Sequence, residues 1–239
     1  MENRRIALVT GANKGIGLEI ARQLAQAGVD VIIGARDAGR ADRAVADLAS
    51  QGLRAQAVRL DVGDEASIDE AARRITEEQG RLDILVNNAG IFDFADGAPG
   101  RASLAAVRRV METNFLGALA VTQAMLPLLR AAPRASIVNL ASSLGSLTLS
   151  GDPSSAYYTQ RYIGYNASKA ALNMLTVQLS EELRGTGIEV NSVSPGFVRT
   201  DLTGFGTMTP EEGARLPVQF ALGGRGSGRF VEPDGETPW

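Results

Sequence analysis

Residues Thr10-Gly11-Ala12-Asn13-Lys14-Gly15-Ile16-Gly17 lie between a short apolar run, 6–9, and a helical pattern through Ile16, Ile20 and Leu24 that stops at Gly28. A chain that leaves a buried strand through three closely spaced glycines and then enters a helix has few folds open to it. Glycines let the backbone turn tightly and approach a ligand, and the N-terminus of the following helix favours an anion such as a pyrophosphate. The spacing is Gly-x-x-x-Gly-x-Gly rather than the commoner Gly-x-Gly-x-x-Gly.

The same strand-then-helix rhythm continues along the chain. Apolar runs at 31–33, 55–60, 84–86, 136–140 and 188–193 read as strands. Helical patterns fill 41–50, 65–78, 104–130, 165–184 and 210–222, with Pro127 ending or kinking the third. Gly185 and Gly187 close the fourth, as glycine often closes a helix. Strands alternating with helices imply right-handed βαβ units and an open parallel sheet. The expectation is an α/β, doubly wound, Rossmann-type sheet with helices on both faces, in one domain spanning 1–239. The last 40 residues, rich in Gly and Pro, carry only the 210–222 helix.

The chain has no cysteine and no histidine, which removes thiol nucleophiles, disulfides, zinc sites built on those residues and every Ser-His-Asp arrangement. No metal site is expected, and acid–base work falls to Tyr, Lys, Asp or Glu. With 24 basic and 27 acidic residues, nothing suggests a nucleic-acid or membrane surface. No apolar run approaches the ~18 residues of a membrane span and no leader pattern precedes the first strand, so the expected compartment is the cytoplasm. Tyr165 and Lys169, four apart on a helix, project from one face with about 5–6 Å between their Cβ atoms. An ammonium beside a phenol should pull the tyrosine below its usual pKa of about 10, which suits a proton donor to a carbonyl.

The chain resembles the short-chain dehydrogenase/reductase family in its shorter form. Thr10 to Gly17 matches that family's Thr-Gly-x-x-x-Gly-x-Gly, Asn87-Asn88-Ala89-Gly90 its Asn-Asn-Ala-Gly, Tyr165-x-x-x-Lys169 its active-site pair, and Pro195-Gly196 its turn after the sixth strand. The resemblance implies a catalytic set of Ser142, Tyr165, Lys169 and Asn114. Ser142 would bind the substrate carbonyl and Tyr165 would exchange the proton. Lys169 would tune Tyr165 and hold the nicotinamide ribose, and Asn114 would anchor a water. Ser143 competes with Ser142, which is favoured because the family's serine precedes a glycine by three, here Gly145. The resemblance also implies cofactor contacts from Gly11, Asn13, Lys14, Gly15, Ile16, Gly17, Asp61, Val62, Asn88, Ala89, Gly90, Pro195, Gly196, Val198 and Thr200, besides Tyr165 and Lys169. Asp61 could equally cap a helix.

Where NAD-preferring enzymes carry an acid after the second strand, this chain has Ala35 and then Arg36, a bidentate partner for a 2′-phosphate. Lys14 adds a second charge, so NADP(H) is the expected cofactor. Asp37 would reverse that choice if the alignment slipped by one. The interval from Ser142 to Tyr165 exceeds the family's usual length by about ten residues. The extra piece, 150–163, carries Tyr157, Tyr158 and Tyr162 as candidate pocket residues and resembles a longer insertion in monomeric carbonyl reductases. A homodimer or homotetramer therefore stands beside a monomer. The stretch 200–222 is the expected substrate lid, with Phe205 and Met208 as apolar contacts. The implied activity is reduction of a small ketone or aldehyde, or the reverse oxidation. The alternatives are an NAD-dependent alcohol dehydrogenase and a non-catalytic dinucleotide sensor.

Overall fold

The computed structural model describes residues 4–202 and 204–239. Among them, eight strands form one sheet: β1 Ile6–Thr10, β2 Asp30–Ala35, β3 Ala55–Arg59, β4 Ile84–Asn87, β5 Ala135–Leu140, β6 Ile188–Val193, β7 Arg229–Glu232 and β8 Gly235–Glu236. Their order is β3-β2-β1-β4-β5-β6-β7-β8. Pairs from β1 to β7 are parallel, and β8 folds back antiparallel on β7. The helices are α1 Gly15–Gln26, α2 Ala38–Ser50, α3 Glu65–Gln79, α4 Leu104–Met111, α5 Gly117–Arg130, α6 Leu147–Gly151, α7 Ile163–Glu182 and α8 Pro210–Ala221.

Both faces of the central strands are covered, which explains why they read as continuous apolar runs rather than alternating ones. Ala7 and Val9 of β1 join Ile20, Leu24 and Leu48 in a core beneath α1, α2 and α8. Ile6 and Leu8 face the other way, into a core with Ile68, Ile75, Met125 and Leu179 from α3, α5 and α7. A buried polar ladder fixes α7 over the sheet: Asn87 donates to Asn139 Oδ1, and Asn139 donates to Thr176 Oγ1, each at 2.8 Å.

The architecture is the expected doubly wound α/β sheet, with three local differences. The continuous helix expected over 104–130 is broken, because Glu112–Leu116 forms a π-helical turn between α4 and α5. Pro127 lies inside α5 and does not end it before Arg130. The C-terminal stretch adds β7 and β8, which the sequence pattern does not mark. β7 is four residues with charged ends, Arg-Phe-Val-Glu, at the edge of a glycine-rich segment. No described helix is long and apolar enough to cross a membrane.

Candidate active site

Strands β1 and β4 are neighbours, yet the chain runs outward from them in opposite directions along the sheet. Such a switch point opens a crevice at the carboxyl ends of the strands, where ligands of open α/β sheets bind. Thr10, at the end of β1, accepts from the backbone N–H groups of Asn88 (3.0 Å) and Ala89 (2.9 Å). The Asn88 amide donates back to Thr10 O at 2.8 Å. The glycine loop is therefore stitched to the Asn-Asn-Ala-Gly segment. Gly11 and Gly15 have φ of +64° and +58°, which side chains disfavour. A Cβ on Gly17 would lie 2.4 Å from Asn88 Nδ2 and 2.8 Å from Gly11 O.

Gly15 instead looks into open space, where a Cβ would meet only Thr200 Cγ2 at 3.9 Å. No side chain caps the N-terminus of α1. The first N–H groups of a helix lack intrahelical partners, so this loop of Asn13, Lys14, Gly15, Ile16 and Gly17 forms an open anion cradle. Those residues fit a dinucleotide pyrophosphate. At the neighbouring strand end, Ala35 is buried and Arg36 is exposed. Asp37 caps α2, accepting from Arg40 N at 3.0 Å and pairing with the Arg40 guanidinium. That cap occupies the acid which a one-residue slip would have placed on the ribose. Lys14 pairs with Asp201 at 2.9 Å and holds the Asp201 carboxyl below its ordinary range.

Asp61 accepts from Gly63 N at 3.1 Å, while the side-chain cap of α3 is Asp64. The helix-cap alternative for Asp61 is thereby removed. Val62 lies under the start of α5, where a Cβ on Gly117 would come within 2.7 Å of Val62 O.

The candidate catalytic residues meet at the carboxyl end of β5. The Ser142 hydroxyl lies beside the Tyr165 phenol and favours its phenolate, against the larger effect of burial. Ser142 also caps a short 3-10 turn, Ser143–Gly145, accepting from Leu144 N at 3.2 Å. Ser143 is buried and occupied elsewhere, donating to Glu232 and approaching Ser194 Oγ at 3.4 Å. The geometry thus separates the two serines. Gly145 is required because its turn lies on α7: a Cβ there would sit 2.7 Å from the carbonyl carbon of Lys169 and 2.8 Å from its Cβ.

Lys169 is buried, donates to Leu140 O at 2.7 Å and sits 5.6 Å from the centre of the Tyr165 ring. Asn114 occupies the π-helical turn, accepts from Ile91 N (2.8 Å), and donates to Ile91 O (3.0 Å) and Ser168 Oγ (3.1 Å). Gly90 lies between the two, since a Cβ on it would be 3.4 Å from Asn114 Oδ1 and 3.7 Å from Lys169 Nζ.

The electrostatics differ from the sequence expectation. Burial pushes the Tyr165 phenol up to about 12, and the Ser142 hydroxyl offsets this only in part. The expected depression is absent because desolvation penalises the phenolate, while the Lys169 ammonium faces the ring and a carbonyl rather than the hydroxyl. Burial pushes Lys169 itself down to about 8.

Other expected residues are placed less uniformly. Gly196 has φ +86°, and a Cβ there would meet Met208 Sδ at 2.7 Å, so Met208 is packed on the turn after β6. The Val198 side chain is turned into α8 against Gly213, and Val198 pairs with Met208 across a β-bridge. Thr200 accepts from Leu202 N at 3.2 Å. Phe205 is exposed. Tyr157 donates to Glu232 at 3.4 Å, Tyr158 lies under Arg161, and Tyr162 packs edge-on against Phe92 at 5.0 Å. Phe92 also packs edge-on against Tyr165 at 5.6 Å. Phe92 and Glu232 carried no motif or periodicity that would single them out. A cavity of about 560 Å³ between Arg134, Arg184, Gly228 and Trp239 lies at the opposite end of β6, away from these groups. Among the described residues no cluster of three or more acidic side chains could hold a metal ion.

A glycine cradle at a switch point, beside a serine, a tyrosine and a lysine at one strand end, defines a dinucleotide-binding oxidoreductase of the Rossmann type. Residues 5–209 match the short chain dehydrogenase family. The chain belongs to that family. It is 37% identical over 226 residues to "Short-chain dehydrogenase anuI" of Penicillium roqueforti, covering 92% of this chain and 89% of the relative. It is 34% identical to "Carbonyl reductase [NADPH] 1" of Homo sapiens, covering 98% and 93%. Among solved structures, NADPH-bound carbonyl reductase from chicken fatty liver superposes with a TM-score of 0.85 at 33% identity, covering 99% of each chain. Salutaridine reductase from Papaver somniferum gives 0.82 at 28% identity, covering 95% of this chain and 99% of that one.

Proposed function

We propose that this chain is an NADP(H)-dependent carbonyl reductase, reducing a ketone or aldehyde to an alcohol or running the reverse oxidation. The observation that carries this reading is the meeting of Ser142, Tyr165 and Lys169 at the end of β5, beside the open glycine cradle. Exposed Arg36 after buried Ala35, with Asp37 committed to its helix, favours a 2′-phosphate over a bare ribose. The relatives named carbonyl reductase [NADPH] support the same cofactor.

Gly11, Asn13, Gly15, Ile16 and Gly17 would hold the pyrophosphate, with Arg36 and Lys14 on the 2′-phosphate. Asp61 and Val62 would hold the adenine. Asn88, Ala89, Gly90, Pro195, Gly196 and Thr200 would line the nicotinamide half, with Val198 contributing through its backbone because its side chain is turned into α8. The cofactor supplies the hydride. Ser142 donates a hydrogen bond to the substrate carbonyl oxygen and stabilises charge developing there. Tyr165 transfers its phenolic proton to that oxygen, so its O–H bond breaks as the alcohol O–H forms. A phenol held near 12 is fully protonated at neutral pH, as the reductive direction needs. Lys169, still largely an ammonium at pH 7 and turned to Leu140 O and the face of the Tyr165 ring, would hold the nicotinamide ribose. Asn114 fixes Ile91 and holds the water that returns the proton. The segment 150–163 and the part of 200–222 that precedes α8 would bound the substrate within a single domain, α8 itself being packed into the core against α1.

The test is to incubate the purified chain with NADPH and a panel of aliphatic, aromatic and steroidal ketones and aldehydes, following absorbance loss and alcohol formation. Stoichiometric alcohol production from at least one class is expected. No turnover across the panel would overturn the reading.

A further inference from the structure

Helix α7 carries Tyr165 in its first turn, yet the residue preceding the helix, Tyr162, provides no side-chain cap. The opening amides of α7 are satisfied from another part of the chain. Ile163 N donates to Gly97 O at 2.9 Å. Gly164 N donates to Asp96 Oδ1 at 3.0 Å, and Tyr165 N donates to Asp96 Oδ2 at 2.8 Å. One carboxylate, 69 residues upstream, thus grips the backbone of the candidate acid itself. It is also the charge that a helix N-terminus favours.

The segment bearing Asp96 is itself clamped. Asn114 binds both the N–H and the carbonyl of Ile91, and Arg109 binds Asp93 at 2.6 Å. Phe92, between those anchors, packs edge-on against the Tyr165 ring. Gly164 leaves the room this contact needs, because a Cβ there would lie 3.1 Å from Asp96 Oδ2 and 3.0 Å from Val107 Cα.

We propose that Asp96 is a positioning residue for Tyr165: its carboxylate sets the depth and rotation of the first turn of α7, and so places the phenol against Ser142. The inference rests on the proposed role of Tyr165 as the proton donor. Displacements of about 1 Å in a reacting group can cost about a hundredfold in rate, so loss of this grip should appear in kcat rather than in cofactor affinity.

The test compares Asp96→Ala and Asp96→Asn with Gly80→Ala. Gly80 closes α3 at φ +71° with no atoms near its missing Cβ, so that variant loses stability far from the site. Turnover is measured with NADPH and para-nitrobenzaldehyde, NADPH affinity by fluorescence titration, and folding by thermal melt. Asp96→Ala should lower kcat by about tenfold or more while NADPH affinity stays within about twofold. Asp96→Asn, keeping one acceptor oxygen, should fall between it and the parent. Gly80→Ala should keep the parent's kcat despite a lower Tm. A folded Asp96→Ala with the parent's kcat would overturn the proposal, as would an equal kcat loss in Gly80→Ala. Should Asp96→Ala not fold, the Asn variant decides by the same criterion.

A readout independent of turnover separates this inference from the functional reading. The chain has four tyrosines, so 3-fluorotyrosine labelling gives four 19F resonances, with that of Tyr165 assigned by Tyr165→Phe. Asp96→Asn should shift or broaden the Tyr165 resonance in the cofactor-free protein. An unmoved resonance overturns the positioning role even if the enzyme proves active. A moved resonance in a protein that reduces no carbonyl would sustain the grip on Tyr165 and overturn only the functional reading.

Discussion

Only two of the chain's 24 basic residues are lysines, and both belong to the candidate site: Lys14 in the glycine loop and Lys169 beside Tyr165. This makes the charge state of Lys169 directly measurable. Burial lowers it from 10.5 to about 8. The gap, at about 1.4 kcal/mol per pH unit, makes a protonated Lys169 cost the folded state about 3 kcal/mol at neutral pH. The sign follows from proton counts. Between about pH 8 and 10.5 the unfolded chain holds a proton on this lysine that the folded chain has released, so stability rises with pH through that window and is lowest below it. Replacing Lys169 with Met removes the effect. Wild type should therefore gain about 2 kcal/mol relative to Lys169→Met between pH 7 and pH 10 in urea unfolding. Labelling with lysine carrying 13C at Cε should give two resonances, of which the one missing from Lys169→Met titrates near 8. A resonance titrating at the ordinary lysine value, with wild type and variant showing parallel stability profiles, would refute the desolvation argument.

Cofactor choice should follow Arg36: the parent should bind NADPH more tightly than NADH by a factor of more than about ten, about 1.4 kcal/mol, and Arg36→Ala should erase most of that ratio in calorimetric titration. The two serines should separate in steady-state kinetics. Ser142→Ala should lose about a hundredfold or more in kcat as an oxyanion donor disappears, whereas Ser143→Ala, whose hydroxyl serves Glu232, should lose about 1 kcal/mol of stability and far less rate. Gly17→Ala should lower the melting temperature and weaken NADPH binding, because its Cβ would stand 2.4 Å from Asn88 Nδ2 and force the loop off the β4 segment.

The glycine loop was legible in sequence because its constraints are local. A positive φ at Gly11 and Gly15 and a blocked Cβ at Gly17 leave no other residue type free of strain. The sheet was legible because buried parallel strands such as β1 and β6 are continuous apolar runs. β7 was not, since two of its four residues are charged and its partner in register lies 38 residues away. The π-helical turn at Asn114 left no trace either, because helical periodicity on both sides conceals one extra residue per turn. The direction of the Tyr165 pKa is hidden from the sequence for a related reason: Tyr165-x-x-x-Lys169 spacing reports proximity, whereas the pKa depends on burial and on where Nζ points. Asp96 lies in a turn with no motif, and its role depends on a contact with a helix 69 positions later.

In the proposed reaction Tyr165 delivers the proton to a carbonyl reduced by NADPH. The most direct test of this role compares the parent with Tyr165→Phe, measuring NADPH oxidation and alcohol formed on the best substrate from the panel, with NADPH affinity determined alongside. A loss of about a hundredfold or more in kcat is expected, with cofactor affinity within about twofold of the parent. Turnover by Tyr165→Phe at a rate close to that of the parent would contradict this role.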